Sequence, residues 1–234
     1  MNSEEFLSQI KKDYNIVKLL SSKNGGRSFV LKHKSLEKKI VLRMFDNTLP
    51  VYAFMKNISF KNLPLIYDVV DLDNGQAVLE EYIDGLSVAE VLETGVYTYS
   101  GARKIILDIC DALGIIHSHG FVHRDIKPEN IMISQDGIVK LIDFNASRSV
   151  KLEAKKDTVA IGTIGYASPE QLGLSQSDPR TDIYALGVLL NVMLTGEHPS
   201  VRLADGRAGK TVLKCTQIDP RERYRSVDEL KKEM

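Results

Sequence analysis

The sequence is poor in several things, and each shortage excludes something. Thirty-one Lys and Arg balance thirty-one Asp and Glu, so the 234 residues carry no formal net charge. Such a chain lacks the general positive field that binds nucleic acid non-specifically. Its basic pairs Lys38-Lys39, Lys155-Lys156 and Lys231-Lys232 read as solvated faces. No apolar run approaches the roughly eighteen residues that cross a bilayer. The opening stretch, MNSEEFLSQIKKDYN, turns from acidic to basic without the apolar core of a signal peptide. No membrane segment is expected, and the expected location is cytoplasmic. There are two cysteines, Cys110 and Cys215, far apart and each in a helix-like apolar pattern. They read as buried thiols in a reducing compartment rather than as a disulfide. Repeats, low-complexity tracts and long linkers are absent. What remains, 43% hydrophobic and 26% charged, is an ordinary globular balance, long enough for one large domain or two small ones sharing a cleft.

The hydrophobic pattern changes period along the chain. Residues 3–13 suit a short helix with Phe6, Leu7 and Ile10 on one side. Strands follow in YNIVKLL, RSFVLKH and KKIVLRMF, divided by a turn at Gly25-Gly26 and a charged turn at 34–38. Pro50 can open a short helix to about Lys56. Strands at 65–71 and 76–82 flank a hairpin turn at Asp73-Asn74-Gly75. After Gly85 the period becomes helical: Ile105, Ile109, Leu113 and Ile116 recur every three or four residues, Ser100 is placed to cap that helix, and Gly120 stops it. Further helices are expected at 181–195, 209–217 and 226–233. A strand-rich first third before a helix-rich remainder predicts an α+β chain of two lobes, divided near 82–86.

Residues 130–143 read NIMISQDGIVKLID. Paired antiparallel around Ser134-Gln135-Asp136-Gly137, the strands 131–133 and 138–142 would bring Asn130 and Asp143 to one end of a ribbon. An amide oxygen and a carboxylate there can hold Mg²⁺, a hard cation usually shared with phosphates. His123, Arg124, Asp125 and Lys127 stand just before Asn130, so the same edge offers a base, cations and two metal ligands. Singly, each of these is an ordinary polar loop residue. HSHGFVH lacks the nearby Cys or regular spacing of a histidine metal site.

Together, HRDIKPEN and DFN resemble the catalytic loop and metal motif of the eukaryotic-like protein kinases. The resemblance extends to LEEYIDG (79–85) as the hinge, GTIGYASPE (162–170) as the end of an activation segment, TDIYALGVLL (181–190) as the central helix of the second lobe, and DPRERY (219–224). It implies a bilobal fold, a small antiparallel-sheet N-lobe and a mainly helical C-lobe, with ATP between them. It also implies roles. Asp125 orients the substrate hydroxyl and takes its proton, Lys127 neutralises the transferring phosphoryl, and Asn130 and Asp143 hold Mg²⁺. Lys127-Pro128-Glu129, with Thr163 before Tyr166, resembles the Ser/Thr-specific branch, whose partner is a protein bearing Ser or Thr. The backbone of Glu81 to Ile83 would meet adenine, with Val41 above the ring, Met132 below, and Glu80 at the gatekeeper position. Gly25 and Gly26 are what remains of the phosphate loop. Arg124 implies a phosphate-sensing pocket, with Thr158 or Ser149 as phosphosites. Glu170 and Arg223 match a structural ion pair, and Asp182 a carboxylate bracing the catalytic-loop backbone.

The N-lobe departs from the family. Where the third strand should end in a Lys that grips the α- and β-phosphates, IVLR has Arg43, which keeps the charge but is broader and planar. No acidic residue lies between Asp46 and Asp68, so the helix cannot supply the family's Glu partner. Asn145 replaces the Gly of the metal motif; Asn tolerates positive φ well, which predicts that it leaves Asp143's chemistry intact. Losing one preorganised electrostatic contact costs about 10²–10³ in rate, so a slow protein kinase is expected rather than a dead one. The competing reading is a pseudokinase that senses nucleotide or acts as a scaffold. A small-molecule kinase fits less well, because GTIGYASPE resembles a peptide-holding segment.

Overall fold

The computed structural model describes residues 1–23, 26–150, 165–172 and 176–234. The chain divides into two compact units: Met1–Phe60 with Pro64–Ile83, and Lys61–Leu63 with Asp84–Met234. One carries an antiparallel sheet and the other is mainly helical, as the change of period predicts.

The first unit opens with α1 (Ser3–Asp13), started by a capping box. The Asn2 side chain accepts from the Glu4 and Glu5 N–H groups, and the Glu5 carboxylate accepts from the Asn2 N–H at 3.1 Å. Then come β1 (Tyr14–Lys23), β2 (Gly26–His33), β3 (Lys39–Phe45), α2 (Pro50–Met55), β4 (Ile66–Leu72) and β5 (Gly75–Glu81), in a five-stranded sheet of order β1-β2-β3-β5-β4. The two-residue alternation of β3 sorts its side chains. Leu42 and Met44 join Phe6, Leu31, Leu72 and Ala77 in an apolar core on the α1 side, with Ile40 packed against it. Val41, Arg43 and Phe45 therefore lie on the opposite face. There Phe45 stacks on Tyr52 of α2, ring centroids 5.4 Å apart. The Asp73-Asn74 turn leads into Gly75 at φ 142°, where a Cβ would fall 1.9 Å from the Phe45 carbonyl oxygen. Only glycine fits that approach.

The second unit contains β6 (Gly85–Ser87), α3 (Val88–Leu92), α4 (Tyr99–Ser118), β7 (Phe121–Val122), β8 (Ile131–Ser134), β9 (Val139–Leu141), β10 (Arg148–Ser149), α5 (Pro179–Thr195), α6 (Gly206–Cys215) and α7 (Val227–Glu233). Residues 61–63 belong here because they are bonded to β9. Leu141 N–H donates to the Asn62 carbonyl at 3.0 Å, Asn62 Nδ2 to the Val139 carbonyl at 2.7 Å, and Lys140 Nζ to the Leu63 carbonyl at 3.0 Å. The cap of α4 is Thr98, not Ser100: its side chain accepts from the Gly101 N–H at 3.2 Å, which starts the helix at Tyr99. Ile105, Ile109, Leu113 and Ile116 form its buried stripe, and Gly120 at φ 81° ends the run. α5 is buried nearly all round, as the apolar run at 183–190 demands. Cys110 on α4 and Cys215 on α6 are buried free thiols; burial pushes the Cys110 pKa up to about 12, so it is inert as a nucleophile.

α5 and α6 meet at Gly187, where an added Cβ would stand 2.4 Å from the Cys215 Cβ and 3.2 Å from the Thr216 methyl. Gly187→Ala should therefore destabilise by about 1–3 kcal/mol through overpacking, although alanine favours an isolated helix. Chemical denaturation checks this; a variant as stable as the parent would show that the helices can separate freely.

Candidate active site

Two ribbons position the polar residues of the second unit. β8 pairs antiparallel with β9 (Ile131 opposite Leu141), and β7 with β10 (Val122 opposite Arg148). Residues 123–130 and 142–147 each run from one ribbon to the other. Ile142 N–H donates to the Asn130 carbonyl at 2.9 Å, so Asn130 and Asp143 come to the same end of the β8–β9 ribbon. The hairpin geometry read from the sequence is the one that forms.

Asp182, wholly buried on the first turn of α5, holds the loop backbone. Its Oδ1 accepts from the Arg124 N–H at 2.8 Å, and its Oδ2 from the His123 N–H at 2.9 Å; the His117 Nε2 lies 2.8 Å from the same Oδ2. Burial alone would raise the Asp182 pKa, but His117 and the backbone donors bring it below the ordinary carboxylate value. The sequence pointed to Asp182 but missed His117. The three histidines of HSHGFVH have separate partners, since His119 Nδ1 lies 2.9 Å from the Ile115 carbonyl and His123 Nε2 is 3.2 Å from that of Ile142. No group of three metal-binding side chains occurs among the described residues.

His123 is buried, edge-on to the Phe144 ring at 4.7 Å. The Asp125 N–H donates to its Nδ1 at 3.3 Å, so Nε2 carries the proton and donates to Ile142. Burial lowers its pKa, against the pull of Asp182, Asp125 and Asp143. Arg124 adopts φ 70°, unusual for a side chain with Cβ. Both of its peptide groups are tied, the N–H to Asp182 and the carbonyl to Gln171 Nε2 at 2.8 Å. Gln171 was not singled out from the sequence; it follows the SPE of the activation segment without any pattern that marks it.

That bracing sets up Asp125. Lys127 Nζ lies 2.7 Å from Asp125 Oδ2, and Asn130 Nδ2 donates to the same oxygen at 2.9 Å and to the Asp125 carbonyl at 2.8 Å. With its nitrogen so engaged, Asn130 has Oδ1 to offer a cation. Asp143 adopts φ 66° beside it. The left-handed residue of the motif is thus Asp143 and not Asn145, so the expected reason for tolerating Asn145 does not apply in this conformation. Asp and Asn are the side chains that best accept this region, because their short polar groups bond locally. One amide oxygen and one carboxylate fit Mg²⁺, which takes few protein ligands and completes its shell with water and phosphate oxygens. Met132, half-buried on β8, lies opposite Lys140.

Residues 168–172 are anchored by a buried pair. Arg223 Nη1 and Nη2 meet Glu170 Oε1 and Oε2 at 2.6 and 2.9 Å, and Thr181 Oγ1 donates to Glu170 at 3.0 Å. Burial would raise the Glu170 pKa, but these partners hold it below its ordinary value. Gly25, Thr158 and Thr163 lie outside the described residues.

In the first unit, Arg43 and Glu80 form a buried ion pair, Nε to Oε1 2.6 Å. Glu80 stands opposite Val41 on β5, so the two charges are diagonal neighbours on one sheet face. Val41 is buried on that face and Ile83 is buried just past β5. Glu81 is bonded to Leu65 through both its N–H, at 2.9 Å, and its carboxylate, at 3.0 Å. Gly26 starts β2 opposite Phe45.

The end of the β8–β9 hairpin thus carries Asn130 and Asp143 beside the braced Asp125–Lys127 pair. The family model described as "Protein kinase domain" matches residues 13–234, and the chain belongs to that family. It is 37% identical over 157 residues to the serine/threonine-protein kinase PknB of Mycolicibacterium smegmatis, covering 62% of this chain and 25% of that protein. It is 32% identical over 190 residues to the "Probable serine/threonine-protein kinase CPE1738" of Clostridium perfringens, covering 75% and 28%. The chain thus spans about a quarter of the length of these curated relatives. Among the described residues, no helix is long and apolar enough to cross a membrane.

Two measurements follow. Removing one partner of a buried pair strands the other charge, so Arg223→Ala should cost about 3–5 kcal/mol of stability by urea denaturation; a loss no larger than that of an exposed arginine would deny the pair its anchoring role. His123 titrates lower in the folded state than in the unfolded chain. Its contribution is therefore complete above about pH 6.5 and is lost as pH falls below that value, because the unfolded state then binds more protons. Thermal melts between pH 7.5 and 5 should fall more steeply for the parent than for His123→Leu; equal slopes would mean that His123 is not held neutral.

Proposed function

We propose that this chain is an ATP- and Mg²⁺-dependent protein kinase acting on Ser or Thr hydroxyls, with a rate lowered by its altered first unit. The observation that carries the reading is the Asp125 carboxylate, bonded to Lys127 and Asn130 on a backbone clamped by Asp182. Mg-ATP supplies the γ-phosphoryl group, its metal held by Asn130 Oδ1 and Asp143. The chain's own groups do the rest. Asp125 receives the hydroxyl proton as the new O–P bond forms and the β–γ bond breaks, releasing ADP. Lys127, held against Asp125, offsets the negative charge of the group in transit. On the first unit, Val41, Glu81 and Ile83 are the adenine contacts, Arg43 the phosphate contact and Gly25 and Gly26 the phosphate loop; on the second, Met132 faces the base. Thr163 sets the Ser/Thr preference, and Arg124 reads phosphate on Thr158. The substrate is a protein, by the likeness to serine/threonine-protein kinases.

The pseudokinase reading has one observation in its favour, the buried Arg43–Glu80 pair where the family has a lysine. Intact-mass spectrometry after incubation with Mg-ATP and a basic protein separates the two. The expected result is added phosphate on the chain or the protein for the parent, and none for Asp125→Asn. No added phosphate in either, with ATP binding verified, would overturn catalysis.

A further inference from the structure

The first unit lacks an acid where a kinase needs one, and holds another where it is not expected. α2 packs on the same sheet face as Arg43, through the Tyr52–Phe45 stack, yet its sequence PVYAFM has no carboxylate. Residues 47–67 have none either. On that same face, one strand away, Glu80 meets Arg43 at 2.6 Å, with the two side chains 3% and 8% exposed.

We propose that Glu80 is the positioning residue for Arg43: it substitutes, from within the sheet, for the helix carboxylate that the chain lacks, and fixes the guanidinium to receive the triphosphate. The inference rests on the reading of Arg43 as the phosphate contact. Its basis is the register, in which Arg43 faces Val78 and Val41 faces Glu80. That placement leaves the two long side chains diagonal to one another, within reach across hydrogen-bonded strands. Bonding at Nε fixes the plane of the guanidinium, and with it the direction of both Nη groups, which a lysine ammonium held by the same carboxylate could not match. Because both partners sit on strands of one sheet, the pair assembles when the sheet folds and needs no helix to swing in.

Calorimetric titration with Mg-ATP and with adenosine tests this without requiring turnover. Adenosine shares the base and ribose but has no phosphate for Arg43 to hold. Glu80→Gln keeps the shape and removes the charge; it should weaken Mg-ATP binding about tenfold to a hundredfold and leave adenosine binding within twofold. A parallel variant, Arg43→Met with Glu80→Met, removes both charges and avoids a stranded buried ion, so it should fold, lose at least as much Mg-ATP affinity as Glu80→Gln and bind adenosine within twofold. Equal losses for both ligands in Glu80→Gln would mean a merely structural pair and would overturn the proposal. So would unaltered Mg-ATP binding in either variant, or a parent protein with no preference for Mg-ATP over adenosine. A parent that prefers Mg-ATP, loses Mg-ATP affinity selectively in both variants and transfers no phosphate would sustain the positioning role while refuting catalysis.

Discussion

A single buried carboxylate, Asp182, fixes the backbone on which the second unit's polar residues depend. A charge with no exposure is costly to bury unless its oxygens are well occupied, and here they accept from two successive backbone N–H groups and meet His117. The carboxylate also lies in the first turn of α5, where the helix dipole favours negative charge. Its effect is to fix the peptides of His123 and Arg124 in a conformation the chain would otherwise avoid. Left-handed φ at Arg124 costs on the order of 1–2 kcal/mol, which the bonds from Asp182 and Gln171 offset. With that strain held in place, Asp125 follows at a set angle, and Lys127 and Asn130 close on its carboxylate.

His123 ties this brace to the segment that carries Asp143. Its neutral ring accepts from Asp125 and donates to Ile142, one residue before Asp143. Asp182, His123 and Phe144 thus lock the two crossing segments to each other, so Asp125 and Asp143 share a rigid mount. On the function proposed above, such a mount is what phosphoryl transfer requires, because little covalent work is asked of the protein.

Much of this was legible in the sequence because its signals are contiguous. HRDIKPEN, the four-residue turn and DFN lie within 23 residues, and alternation with a turn between is enough to bring Asn130 to Asp143. Glu170, Arg223 and Asp182 were legible through the resemblance. What escaped depends on three-dimensional register. Glu80 is 37 residues from Arg43, and its role follows only once β3 and β5 are paired in one specific alignment; shifting by one residue would put it on the other face. HSHGFVH lacked the spacing of a metal site, but nothing in it showed that His117 turns to Asp182. Thr98 and Ser100 are both good caps, and the choice between them is made by where the chain enters α4. Asn145 drew attention by replacing a glycine, whereas the unusual φ falls two residues earlier.

Where a kinase-type chain keeps its phosphate-gripping cation in register decides what can control it. A carboxylate on a mobile helix makes the pair conditional, since the helix can be in or out. A carboxylate on a neighbouring strand does not, because β3 and β5 are paired from Ile40 to Phe45 and separating the charges means breaking that ladder. Glu80 and Arg43 are also buried, so separating them costs several kcal/mol. The short α2, held by Val51, Tyr52 and Met55, has no charged partner to offer or withdraw. On the reading proposed for Arg43, the first unit is therefore a fixed part. On that reading control falls to the braced segments of the second unit, where Arg124 and Asp143 adopt left-handed backbone conformations.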